Sequence, residues 1–262
     1  MFHYTKAILR VGPRLLGFYL FYLYRWSRHL EKYPRDMRFA KCRKLIQAIG
    51  RALNTKVTVF GLENLPKDET FFMVSNHMSA FDPIPYISNV DGNMTFVGKK
   101  ELMDLPILPA AMTILEGEYI DRDNLRQSLK VMLKVEDDLK NHQKSWMIFP
   151  EGTRIRDQML PVGEFHHGTF RPAMKAKVPI VPAAIYGSFR VLKTKPQFKI
   201  YPVFISFLKP IYPEEYQGLS TADVAAIVQK RIQREVTYHL RPLDHKTMSE
   251  SKDKKYRFNQ IV

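Results

Sequence analysis

Stretches in which apolar positions dominate recur along the chain, separated by polar, amphipathic ones, and this alternation predicts the elements. Residues 56–66, "KVTVFGLENLP", alternate as a strand and end in a turn. Short apolar runs bounded by turn residues predict strands at 71–75, 94–98, 117–120, 145–149, 180–186 and 198–207. Between them, helical spacing predicts helices near 83–90, 100–104, 123–141, 168–177 and 221–240. The last opens with Ser220 and Asp223 in capping-box positions and then repeats Val224, Val228, Ile232, Val236 and Leu240. Strands alternating with helices predict an α/β domain with a largely parallel sheet flanked by helices. The segment "PLDHKTMSESKDKKYRFNQIV" has no such pattern and predicts a mostly solvated tail. The expected division is 1–54 for N-terminal helices, 55–240 for the α/β domain and 241–262 for the tail.

The first 54 residues follow a different rule. Pro34 opens a helical segment reaching about Leu53, in which Lys41, Arg43, Lys44 and Arg51 alternate with Phe39, Leu45, Ile46 and Ile49. Before it, residues 15–24, "LLGFYLFYLY", are uncharged, and the whole segment 1–30 reads as a helix bent near Pro13. As a helix the uncharged run rises roughly 15 Å, about half of a ~30 Å hydrocarbon core, which argues against a transmembrane span. The following "RWSRHLEKYP" offers no small-residue cleavage site, which argues against a signal peptide. Two readings remain, a helix buried in the protein's own core and a helix lying in a membrane interface. The interfacial reading is preferred, because Phe18, Tyr19, Phe21, Tyr22, Tyr24 and Trp26 suit a headgroup boundary and Arg10, Arg14, Arg25 and Arg28 can meet lipid phosphates.

Charge sharpens this picture. Across 262 residues, 41 Lys and Arg oppose 26 Asp and Glu, a formal charge of +15, which points to an anionic partner. No helix-turn-helix, RRM or zinc-finger spacing supports nucleic acid. The single cysteine, Cys42, cannot form an internal disulfide and suits a cytosol-facing protein.

The candidate chemistry sits where strands end. "FFMVSNHMSAFDP" (71–83) runs an apolar strand into His77, with Asp82 five residues on. A carboxylate accepting from imidazole Nδ1–H fixes the tautomer and stabilises the imidazolium when the ring takes a proton. Spacing alone leaves bland alternatives open, since Asp82 before Pro83 is also a good helix N-cap and His77 can be a satisfied core histidine. Three further strand ends carry charge: Lys99 and Lys100 in "FVGKKEL" (96–102), Arg122 in "GEYIDRDN" (117–124), and Glu151, Gly152 and Arg154 in "WMIFPEGTR" (146–154). One base with several cations suits an anionic, hydroxyl-bearing substrate.

Taken in order, "NHMSAFD", "VGKKEL", "GEYIDRDN", "FPEGTR" and "VPIVPAAI" resemble the motif series of the glycerolipid acyltransferases, the His-x4-Asp group typified by lysophosphatidic acid acyltransferase. The resemblance covers residues 75–185. It implies transfer of a fatty acyl group from a thioester, on acyl carrier protein or coenzyme A, to the sn-2 hydroxyl of lysophosphatidic acid, giving phosphatidic acid in phospholipid biosynthesis. It implies His77 as general base and Asp82 as its orienting partner, with no acyl-enzyme, no metal and no cofactor beyond the thioester co-substrate. Lys99 or Lys100, Arg122 and Arg154 would hold the substrate phosphate, and Glu151, Gly152 and Thr153 would belong to the acceptor site. It also implies a peripheral or monotopic protein on the cytoplasmic face of the cell membrane, with paired N-terminal helices on an anionic surface. The chain departs from the pattern after FPEGTR, where "FHHG" places His166 and His167 near a position at which family members carry lysine. Rival readings are an acyltransferase for another lysophospholipid, a hydrolase using Ser79 or Ser188, and a non-catalytic membrane binder. The hydrolase is disfavoured because neither serine lies in a GxSxG elbow.

Overall fold

The computed structural model describes residues 12–13, 16–104, 107–155, 160–192 and 199–251. Seven strands form one sheet: β1 (Thr55–Phe60), β2 (Phe72–Ser75), β3 (Met94–Lys99), β4 (Glu118–Ile120), β5 (Ser145–Ile148), β6 (Ile180–Tyr186) and β7 (Tyr201–Phe207), in the order β1-β7-β6-β2-β5-β3-β4. All pairings are parallel except β6 with β7. The expected strands are present within a few residues at each end. The first is shorter than its alternating pattern, because at Gly61 the chain turns with φ +67° and a Cβ there would lie 2.1 Å from the Phe207 carbonyl oxygen. The onset expected at 198 lies outside the described residues.

Alternating side chains of each strand feed two cores, as the period of two requires. Met73, Met147, Val181, Ile185 and Ile205 point to one face, where they meet Phe39, Phe81, Tyr86 and Ile114. Phe72, Val74, Trp146, Ile148 and Ala184 point to the other, against Val135, Leu139, Phe170, Val224 and Val228.

The helices are a run at 16–27 (α1), α2 (Arg35–Ala52), α3 (Pro83–Asn89), α4 (Leu108–Ile114), α5 (Leu125–Lys140), α6 (Arg171–Ala176), α7 (Pro213–Tyr216), α8 (Thr221–Glu235) and α9 (Arg241–Glu250). Residues 100–104, expected as α-helix, form a 3-10 helix. The capping box at Ser220 and Asp223 is formed, with both reciprocal bonds present. Helices α4 and α7 lack sequence signals long enough to register.

α9 corrects the expectation of a solvated tail from 241. Asp244 is fully buried and makes a bidentate pair with buried Arg190, and Met248 enters the core. Residues 252–262 lie outside the described residues.

In the N-terminal segment one side of the helical run enters the core and the other faces solvent. Within α1, π-wound over Tyr19–Leu23, Leu23 and Trp26 are buried, and Trp26 stacks on Tyr33 at 4.9 Å. Leu16, Leu20, Phe21 and Tyr24 of the same run are exposed. Arg10 and Arg14 lie outside the described residues. No helix among the described residues is long and apolar enough to cross a membrane. α2 is anchored at the edge where the parallel strands begin. Arg38 donates to the carbonyls of Ile114 and Tyr33, and Arg35, Arg38 and Lys144 converge on Glu116. Burial pushes the Glu116 carboxyl up, but these cations outweigh it and hold it at about 2.

Candidate active site

β2, β5, β3 and β4 are mutually parallel neighbours, so the four segments that carry the candidate residues leave the sheet at one edge. The chain leaving β2 enters α3 on one face of the sheet, and the chain leaving β5 reaches α6 on the other. Adjacent strands whose connections diverge in this way leave a crevice at their carboxyl ends, the usual location of a site in open α/β sheets. His77 follows β2 and Glu151 follows β5, so both stand at that crevice.

The sequence builds the His77 turn in three steps. Asn76, fully buried, extends β2 with its side chain: its amide oxygen accepts from the Ile185 N–H at 2.9 Å, and its NH2 donates to the Ile185 carbonyl at 3.0 Å. The main chain of His77 is thereby freed from β6 and turns toward the loop after β5. There its N–H donates to Glu151 Oε2 at 3.0 Å, and its carbonyl accepts from Ile155 N–H at 2.8 Å. Asp82 then closes the turn. Its Oδ2 accepts from His77 Nδ1 at 2.7 Å, from Met78 N–H at 2.6 Å and from Ser79 N–H at 2.8 Å.

Asp82 is fully buried and its Oδ1 finds no partner among the described residues, so its hydrogen bonding is concentrated on the oxygen that faces the ring. The N-cap reading of Asp82 is not what its carboxylate does, since α3 shows no side-chain cap bond. The imidazole stacks on Phe149 with centroids 4.2 Å apart, and 19% of its side chain remains exposed. With Nδ1 turned to Asp82, Nε2 is the atom left to meet a substrate.

Glu151 links three elements. Besides the His77 amide, it accepts from Gly163 N–H at 3.0 Å, and the Gly163 carbonyl is held by Gln229 of α8 at 2.9 Å. Burial raises the Glu151 carboxyl to about 7. The two amides oppose that rise and the Asp82 charge adds to it.

The expected cations differ in their engagement. Lys99, at the end of β3, pairs with Glu101 at 2.7 Å, and Lys100 pairs with Asp121, just after β4, at 2.9 Å. Arg122 and Arg154 are exposed and make no ion pair among the described residues. At Gly152, φ is +68°, and a Cβ would sit 3.2 Å from the His166 ring and 3.4 Å from the Arg122 guanidinium carbon. Gly152 thus lets a guanidinium and an imidazole approach one spot on the loop that also carries Glu151. Thr153 is exposed beside it.

Sequence reasoning did not anticipate the part played by Asn76 or Phe149, although both fall in the quoted stretches. It flagged His166 only as a departure from a pattern. The backbone amides of His77, Met78 and Ser79 are committed to carboxylates and that of Gly152 to the Phe149 carbonyl, so none of these four is free to donate to a developing oxyanion. Ser188 is fully buried, Ser79 donates its N–H to Asp82, and neither hydroxyl meets a histidine.

The acyltransferase family profile matches residues 56–186, which contain His77, Asp82, Lys99, Lys100, Arg122, Glu151, Gly152, Thr153 and Arg154. The chain is 31% identical over 215 residues to a probable 1-acyl-sn-glycerol-3-phosphate acyltransferase of Mycoplasma pneumoniae, covering 77% of this chain and 79% of that one. It is 30% identical over 178 residues to human 1-acyl-sn-glycerol-3-phosphate acyltransferase alpha, covering 67% of this chain and 60% of the human one. The fold resembles the crystal structure of the 1-acyl-sn-glycerophosphate (LPA) acyltransferase of Thermotoga maritima, with a TM-score of 0.70 at 22% identity over 88% of this chain and 93% of that one. With the family profile spanning half of its length, and the His77–Asp82 pair and its strand-end neighbours inside that span, the chain belongs to the acyltransferase family.

Proposed function

We propose that this acyltransferase moves a fatty acyl group from a thioester, on acyl carrier protein or coenzyme A, to the sn-2 hydroxyl of lysophosphatidic acid, yielding phosphatidic acid. The observation that carries the reading is the His77–Asp82 pair at 2.7 Å, open to the same sheet edge as the Arg122 and His166 side chains beside Gly152. The relatives' names supply the acceptor.

A glycerol hydroxyl is a poor nucleophile, so a base must take its proton as it attacks the thioester carbonyl. His77 Nε2 takes that proton, the hydroxyl oxygen bonds to the carbonyl carbon, and Asp82 stabilises the imidazolium that forms. The tetrahedral intermediate collapses by breaking the carbon–sulfur bond. The departing thiolate accepts the proton from His77, which returns the imidazole to its starting state. No protein nucleophile and no cofactor enter this sequence. General-base help of this kind supplies ~10²–10⁴-fold in rate. Arg122 and Arg154 are the cations best placed to bind the substrate phosphate, because Lys99 and Lys100 are drawn toward Glu101 and Asp121. The exposed Leu16, Leu20, Phe21 and Tyr24 of α1 suit peripheral attachment to an anionic cytoplasmic membrane face.

The test is conversion of lysophosphatidate to phosphatidate by purified protein in anionic vesicles, with both thioester donors run in parallel and His77→Ala as control. Conversion lost by orders of magnitude in the folded mutant is the expected result. Equal activity in the mutant would remove His77 as the base. Turnover of other lysophospholipids in preference to lysophosphatidate would overturn the acceptor.

A further inference from the structure

We propose that the outward face of α5 is a lipid contact, which seats the active-site edge against an anionic membrane surface. The inward stripe of this helix, Val131, Val135 and Leu139, is buried and already completes the core. A second apolar row has no such use. Leu125, Leu129 and Leu133 are 84%, 52% and 55% exposed and spaced four apart, so they form one ridge on the solvent side. Beside each leucine stands a cation, Arg126, Lys130 and Lys134. Lys134 pairs with Glu118, whereas Arg126 and Lys130 have no ion pair among the described residues.

The placement is fixed rather than incidental. Asn124 caps α5 by accepting from Gln127 N–H at 3.0 Å. The Gln127 side chain ties the helix to Tyr119 and Asp121, and Ser128 donates to the Asp121 carbonyl at 2.6 Å. The ridge therefore begins three residues after Arg122, at the edge where the His77 crevice opens, and runs back along the second face of the sheet. α1 packs on the first face, so the two exposed apolar rows flank the sheet from opposite sides.

Leucines and unpaired cations in adjacent rows match a bilayer interface, with aliphatic groups at the acyl boundary and positive charge at the phosphates. The depression between the rows is open and shallow, lined by Arg126, Leu129, Lys130 and Leu133, and offers no deep groove for a partner helix. The inference rests on the reading above that the acceptor is a membrane lipid, and it adds the surface that would present the site to that lipid.

The test measures partition of the full chain onto vesicles of phosphatidylcholine alone or mixed with phosphatidylglycerol. One variant carries Leu125→Gln, Leu129→Gln and Leu133→Gln, and a second carries Arg126→Gln and Lys130→Gln. All five positions face solvent, so folding is expected to persist, and thermal unfolding checks it. The leucine variant should lose about tenfold or more in partition. The cation variant should lose about fivefold for each charge on anionic vesicles, with no loss on phosphatidylcholine. Unchanged partition of both variants overturns the proposal. So does unchanged partition with selective loss of turnover from a carrier-protein donor, which would assign the face to an acidic protein. If the variants lose partition in a protein that does not acylate lysophosphatidate, the lipid contact stands and the acceptor assignment falls.

Discussion

Replacing Asp82 by asparagine separates two things a carboxylate does for a catalytic histidine. The carboxylate supplies negative charge opposite the imidazolium, and it selects the tautomer with the proton on Nδ1. An asparagine can keep the second role only if its oxygen faces the ring. Here the main chain enforces that orientation. The same Oδ2 position accepts from Met78 and Ser79 N–H, both in buried main chain, and a flipped side chain would aim its NH2 at two donors. Asp82→Asn should therefore retain the Nδ1–H tautomer and lose only charge assistance. That difference, a charge-assisted against a neutral hydrogen bond, is ~1–2 kcal/mol. It corresponds to a fall in kcat of roughly 5- to 30-fold, far short of the ~10²–10⁴ expected for His77→Ala. The asparagine NH2 would occupy the Oδ1 position, which is buried without a partner among the described residues. An unsatisfied donor there costs about 1–3 kcal/mol, partly offset by removal of a buried charge. Steady-state acyl transfer, thermal unfolding and nitrogen NMR of the His77 ring give the three readouts. A loss as deep as His77→Ala with the Nδ1–H tautomer intact would refute the division of roles. Appearance of the Nε2–H tautomer would refute the locking of the amide by Met78 and Ser79.

Other consequences follow from the same geometry. Glu151 has a folded-state carboxyl pKa of about 7 against an unfolded value of 4.5, so the folded chain binds the extra proton between these values. Stability associated with Glu151 is thus fully present below about pH 4.5 and lost as pH rises through 7, a loss of order 3 kcal/mol. Melting temperatures of wild type and Glu151→Gln should diverge across that window, and a difference independent of pH would contradict it. Gly152→Ala places a Cβ against the His166 ring and the Arg122 guanidinium at a φ of +68°. It should cost about 1–2 kcal/mol of backbone strain and raise KM for the phosphate-bearing acceptor more than it lowers kcat, as substrate titration would show. Asp244→Ala leaves Arg190 charged and buried, and should destabilise by about 3–5 kcal/mol in denaturant titration. The double change Arg190→Met with Asp244→Leu should recover much of that loss.

Most of the sheet was legible because each strand is a short apolar run closed by turn residues, and seven such runs alternating with helices leave few topologies. The antiparallel entry of β7 was not legible. Its register with β6, Ala183 to Phe207 through Tyr186 to Phe204, depends on a pairing that no local pattern reports. α9 illustrates a second limit. "RPLDHKTMSE" is polar at most positions and reads as solvated, yet it folds because Asp244 finds Arg190, 54 residues away, and Met248 finds the core. α1 illustrates a third, since a run apolar all round does not declare which side faces the protein. Leu23 and Trp26 turn inward while Leu20 and Phe21 turn out.

The candidate site was legible for a physical reason that goes beyond motif spacing. Its residues follow strands, and the neighbours β2, β5, β3 and β4 are all parallel, so segments distant in sequence arrive together at one edge. If β5 ran antiparallel, the Glu151 loop would open at the opposite edge and could not reach the His77 amide. What sequence could not supply is the division of labour inside that edge. The Asp82 oxygens are inequivalent because Met78 and Ser79 turn two amides onto one of them. Glu151 serves main chain because Asn76 has taken over the pairing with Ile185 and released the His77 amide. His166 and Arg122 both crowd the space a side chain at residue 152 would fill. Each of these arrangements depends on where the backbone turns as well as on which residue stands there, so motif reading identifies the participants and the fold assigns their partners.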